Sequence, residues 1–235
     1  MNRQRAIVAA ALATVAVLGW LALYVMPMPM PTNGAVSSPA YLLLSVAMWF
    51  VMMVAMMTPA VTPVVLLFDG VVYRGAPGLH ARTAGFLAGY FSVWLGFSIL
   101  ATIAQAAFIA TGLTDAMAVS KHPVFSTALL ATAGLYQWLP IKAACLEHCR
   151  SPLEFVMHQQ RGRLGPWRMG MHHGVYCLGC CWVLMLLLFV GGVMNLAWVA
   201  ALTILVAAEK LSARPDVVRR LMGAAAFAAA VWILN

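Results

Sequence analysis

Apolar residues gather in seven runs, with polar and basic residues collected between them. The runs cover about 6–26, 41–67, 83–111, 124–141, 173–190, 193–209 and 217–234. A helix needs about 20 apolar residues to cross a hydrocarbon core roughly 30 Å thick, and shorter runs of about 17 still qualify. The pattern predicts an all-α fold, a polytopic transmembrane helical bundle of six or seven spans. It predicts one integral membrane domain over residues 1–235. The second and third runs are long enough to tilt, kink or extend past the lipid. The last run is Ala-rich and starts beside Arg219 and Arg220. If it lies flat in the interface, six spans remain.

Composition sharpens this picture. The 235 residues are 64% hydrophobic and only 9% charged, too apolar for the surface of a soluble domain. The formal charge of +8 finds its explanation in topology. With the N-terminus in the cytoplasm, 13 of the 14 Lys and Arg fall on cytoplasmic segments and only Lys121 lies outside. That is the positive-inside bias of a multi-pass protein of the bacterial inner membrane. Contact with anionic headgroups follows from it, and nucleic-acid binding does not. Arg3 and Arg5 precede a run longer than a signal-peptide core, so an uncleaved first span is expected.

Three features of the connecting and spanning segments bear on chemistry. The first external loop reads Met26-Pro27-Met28-Pro29-Met30-Pro31. Its prolines forbid helix and hold three thioethers in extended chain, either as a soft-metal collection point or as a segment resting on headgroups. Pro59 and Pro63 are expected to kink the second span, and Gln105 to hydrogen-bond between helices. The longest loop, cytoplasmic and about 142–172, begins as a helical continuation of the fourth span.

The candidate chemistry is sulfur. All five cysteines lie within 37 residues and repeat one spacing. Cys145, His148 and Cys149 stand at i, i+3, i+4, and Cys177, Cys180 and Cys181 do the same 32 residues later. On a helix each triad shares one face. His172 and His173 precede the second triad, and Met185 continues the Cys177–Cys181 stripe. The second span carries its own stripe of Met48, Met52 and Met56, with Met53 and Met57 beside it. At the helical rise, Cys181 and Met185 lie about 12 and 18 Å inside the cytoplasmic boundary. Met52 and Met56 lie roughly 16 and 22 Å below the outer one, so the stripes overlap in depth.

Thiolate and thioether ligands select Cu(I). Zinc is the alternative, because cytosolic Cys and His suit a tetrahedral site, but zinc leaves the Met stripes without a role. Cys177-x2-Cys180 also matches a thiol-disulfide oxidoreductase spacing, although a cytoplasmic position disfavours stable disulfides. Inert buried cysteines in a non-catalytic assembly subunit are the bland reading. Glu209, costly in lipid, calls for a partner: Lys142, Arg150, a proton or the metal. Lys210 is expected to snorkel.

The Met-rich stretch ending Ala55-Met56-Met57-Thr58-Pro59 is followed by Cys145-Leu146-Glu147-His148-Cys149-Arg150-Ser151-Pro152. Then come His173-Gly174-Val175-Tyr176-Cys177-Leu178-Gly179-Cys180-Cys181-Trp182, Gly192-Val193-Met194-Asn195 and Glu209-Lys210. In this order they resemble a bacterial family of integral membrane proteins described as predicted metal-binding, some labelled copper chaperones. The resemblance implies a helical membrane fold and metal handling, and supplies no established activity. The Met-Pro run and His148 lie outside it.

The sequence therefore points to a membrane protein that binds, transfers or transports Cu(I), without an enzymatic site. Met residues of the second span and Cys and Met of the fifth would form its site, with Cys145 and Cys149 as handover ligands. A soluble copper chaperone or a copper enzyme would be the partner. No nucleotide-binding loop is present to drive a pump.

Overall fold

A computed structural model describes residues 3–26, 29, 36–67, 79–150 and 164–234. Among these residues every long element is helical. The helices are α1 (Arg3–Val25), α2 (Pro39–Leu67), α3 (Leu79–Ala110), α4 (Pro123–Trp138) and α5 (Pro140–Arg150). They continue with α6 (Gly165–Leu186), α7 (Leu188–Gly191), α8 (Leu196–Leu211) and α9 (Pro215–Leu234).

Proline and capping residues set the boundaries. Pro39, Pro123, Pro140 and Pro215 each open a helix, where a missing N–H costs nothing. Leu139, the residue before Pro140, is extended (φ −69°, ψ 141°), as a following proline demands. Here α4 ends and α5 leaves at a bend of 66°. Gly192 takes φ +93°, which a side chain would resist, and turns the chain into α8. Asn195 then caps α8, its side chain accepting from the Trp198 N–H at 3.2 Å. Pro59 and Pro63 lie inside α2, which continues through both.

Four helices form a central ring. Helix α2 packs on α3, α3 on α6, α6 on α8, and α8 on α2. Helices α2 and α6 thus stand across the diagonal, each flanked by the same two neighbours. Helix α1 covers α2, α5 lies on α6, and α9 packs mainly on α4 at the periphery. The α3–α6 crossing is the closest. A Cβ on Gly89 would overlap the Trp167 carbonyl, and one on Gly170 would overlap the Phe86 carbonyl. With Gly85 and Gly174 one turn away, both helices present small residues four apart, the pattern that lets apolar helices pack backbone to backbone.

Among the described residues five helices are long and apolar enough to cross a membrane, and the bent pair α4–α5 makes a sixth if it counts as one span. The differences from the seven expected runs are local. The run at 193–209 becomes a helix of 16 residues. At the α-helical rise that is about 24 Å, less than the roughly 30 Å of hydrocarbon. The Ala-rich end is instead a regular helix of 20 residues. The expected loop 142–172 is helical over 142–150 and again from Gly165, so α6 starts eight residues before the predicted 173. Met28, Met30 and His158 lie outside the described residues.

Candidate metal centre

Helices α5 and α6 meet along a seam filled with sulfur. Cys149, Cys177, Cys180 and Cys181 are buried there, Cys145 is half-buried, and all five thiols are free. The Cys149 thiol lies within interaction range of those of Cys177 and Cys180. Cys181 lies within the same range of Cys177 and Cys180. The thiols of Cys180 and Cys181 also donate to the Cys177 carbonyl, at 3.1 and 2.9 Å. Cys145 fits at the edge because position 179 is glycine: a Cβ there would come within 3.0 Å of its sulfur. The Tyr136 hydroxyl donates to the Gly179 carbonyl, fixing α4 to the same place.

Two buried lysines approach this seam. The Lys210 ammonium donates to the Cys177 sulfur at 2.7 Å, and the Tyr90 hydroxyl lies 2.9 Å from the same atom. Lys210 therefore does not snorkel: it is 6% exposed and points into the bundle. The reason is the soft anion-forming group within reach, which gives a buried ammonium a partner that lipid cannot. One residue earlier, Glu209 is 1% exposed and pairs with Lys142, which is fully buried, at 2.9 and 3.0 Å. Arg150 reaches the Glu209 and Ser212 carbonyls at 3.2 and 2.6 Å and so caps the end of α8. Glu209 is thus engaged as an ion-pair partner.

The remaining predicted ligands divide. His173 is buried, stacks on Tyr90 at 5.7 Å between ring centroids, and lies within electrostatic reach of Cys177 and Cys180. His148 and His172 gather elsewhere. Both pack on the half-buried Tyr176, at 4.7 and 4.9 Å, on the outer side of the seam. The first triad therefore does not act as one face, because Cys149 turns inward and His148 outward. Met48, Met52, Met56 and Met185 are all buried in the core. The Met stripe lies on α2, across the diagonal from α6. Cys177 is about 18 Å along α6 from Gly165 and Met56 about 16 Å from the Leu67 end of α2. Among the described residues no three His, Cys, Asp or Glu stand in a ready-made metal geometry; the Cys180 and Cys181 thiols are turned to the Cys177 carbonyl instead. A soft ion at the seam would therefore need these side chains to rotate about χ1.

Gln105 behaves as expected, accepting from the Trp49 indole at 2.7 Å and donating to the Tyr41 hydroxyl at 2.9 Å, which links α3 to α2. Sequence reasoning missed Lys210 and Tyr90 as partners of Cys177. A lysine next to a glutamate in an apolar run was the available signal for the first. For Tyr90 the signal was indirect, in the Gly85–Gly89 spacing that brings α3 against α6.

An all-helical chain with membrane-length apolar helices and a buried cluster of free thiols has the features of a protein that handles a soft metal. The chain belongs to the PpoB2 family, described as copper chaperone, whose model matches residues 46–233. No curated protein and no solved structure gives a match.

Proposed function

We propose that the protein is an integral membrane copper chaperone that carries Cu(I) as cargo at the α5–α6 thiol seam. One observation carries this reading: four buried free thiols from two helices gather in one seam, with the Lys210 ammonium on the Cys177 sulfur. Charge balance fits Cu(I). Lys142 and Glu209 cancel each other, which leaves the single positive charge of Lys210. A Cu(I) ion held by two thiolates carries one negative charge, so ion, ligands and Lys210 sum to zero. Zinc with four thiolates would leave an uncompensated negative charge in an apolar surrounding, which is expensive. We assign Cys149 and Cys177 as the leading pair, because they come from different helices and lie within interaction range. Cys180 and Cys181 are reserve ligands, and Cys145 is the handover ligand at the half-exposed edge.

The Met stripe of α2, with Met185, offers neutral sulfur at similar depth and suits weak Cu(I) holding on the way to or from the thiols. The basic residues favour an N-terminus in the cytoplasm, so the seam opens toward that side and toward a soluble copper donor or acceptor. The test is competition for Cu(I) with a chromophoric chelator, using detergent-solubilised protein under reducing conditions. Cys149→Ser and Cys177→Ser should each weaken binding by at least about a hundredfold, as expected for loss of one of two strong ligands. Unchanged affinity in both would contradict the seam.

The nearness of Cys149 to Cys177 also fits a thiol-disulfide oxidoreductase. That reading requires a pair that cycles, and it predicts a trapped mixed disulfide with a partner when Cys149 or Cys177 alone is replaced. An assembly subunit without thiol chemistry predicts full function after alanine replacement of all five cysteines.

A further inference from the structure

Away from the sulfur seam, α4 and α9 build a basic pocket. They pack through Gly134 and Gly223: a Cβ on Gly223 would come within 2.8 Å of the Trp138 indole nitrogen. Trp138 therefore lies across the start of α9, its indole N–H donating to the Arg220 carbonyl at 3.4 Å. Beneath it Arg219 is only 6% exposed. One of its terminal nitrogens donates to the Gln137 carbonyl, and the other pairs with the exposed Asp216 carboxylate at 3.1 Å. Its Nε is buried and has no hydrogen-bond partner among the described residues. Trp138, Arg219 and Arg220 line a cavity of about 280 Å³. Arg220 is exposed, and Trp138 is 51% exposed.

A largely buried arginine and an exposed one that line the same open cavity form an anion site. Two arginines against one aspartate leave a single positive charge. The matching ligand is a singly charged phosphodiester, which arginine recognises through its planar fork of donors. Leu221 and Ile141 nearby are 65% and 60% exposed, so the surroundings suit acyl chains. A half-exposed tryptophan beside them is the side chain that interfaces favour. We infer that the α4–α9 pocket binds the phosphate group of a phospholipid. The inference rests on the membrane reading given above.

The test is native mass spectrometry of the full chain in mild detergent, titrated with dioleoyl phosphatidylglycerol, with dioleoylglycerol and inorganic phosphate in parallel. Phosphatidylglycerol should stay as one retained adduct, and dioleoylglycerol should not. Arg220→Gln should weaken retention about tenfold, the worth of one charge-assisted contact. Arg219→Gln should abolish it. Because Arg219 also holds the Gln137 carbonyl, Trp138→Ala serves as an independent second variant. Phosphate that competes with the lipid supports the phosphate chemistry and assigns a free-ion source as well. Equal retention in Arg220→Gln and Trp138→Ala overturns the site. Flotation with phosphatidylglycerol vesicles separates the two premises. Protein that fails to float overturns the membrane reading and the site together. Protein that floats but retains no phosphatidylglycerol overturns the site alone.

Discussion

Lys210 and Glu209 are neighbours in sequence yet face different partners, and their roles separate by experiment. If Lys210 is the counter-charge of a bis-thiolate ion, Lys210→Met should weaken Cu(I) binding by at least about tenfold, since a buried charge left unpaired costs more than one such step. Lys210→Arg should recover part of it. Chelator competition on the three proteins reads this directly, and equal affinities would mean the ammonium serves packing alone. The Lys142–Glu209 pair makes the opposite kind of prediction. Lys142→Met or Glu209→Gln leaves one buried charge without its partner and should destabilise by roughly 3–5 kcal/mol. Replacing both by Met should return much of that loss. Thermal unfolding of the two single variants and the double variant checks it; additive losses would exclude a direct pair.

At the scale of elements, glycine decides how closely helices approach. Gly89→Ala places a Cβ on the Trp167 carbonyl, where only backbone movement gives relief, so α3 and α6 must separate. This variant should lose a large part of its thermal stability and its copper binding together. Gly179→Ala meets the movable end of the Cys145 side chain at 3.0 Å. It should fold normally while exposing Cys145 to a thiol-alkylating reagent faster than wild type. If the two variants unfold at the same temperature, the close α3–α6 crossing is not what holds the bundle.

Most of the helices were legible in the apolar runs, because membrane-length stretches of one character leave few alternatives. Their ends were less so. Hydropathy stops at 173 where polar His172, Arg168 and Gly165 begin, yet the backbone stays helical back to Gly165. The bend at Leu139–Pro140 follows from proline sterics but its 66° is set by packing. The cysteine spacing drew attention to α5 and α6, but periodicity could not say that His148 turns to Tyr176 while Cys149 turns to the seam. It was equally blind to Lys210, because the partner of a buried charge is a three-dimensional fact.

At the scale of the whole molecule, the basic residues predict an orientation. Reporter fusions near Lys121 should report the outer side, and fusions at the N-terminus or after Arg150 the inner side. The reverse pattern would place the thiol seam toward the oxidising compartment and favour disulfide chemistry over copper handover. The ring of α2, α3, α6 and α8 sets the thioether and thiol helices opposite each other.

Copper at the thiol seam is the proposal on which the others depend. Its most direct measurement is the metal content of protein purified from copper-replete cells under reducing conditions, beside a Cys177→Ser/Cys180→Ser/Cys181→Ser variant. Near-stoichiometric copper is expected in the first and its loss in the second, with both proteins folded. Zinc in place of copper, or folded protein that holds no metal, would contradict it.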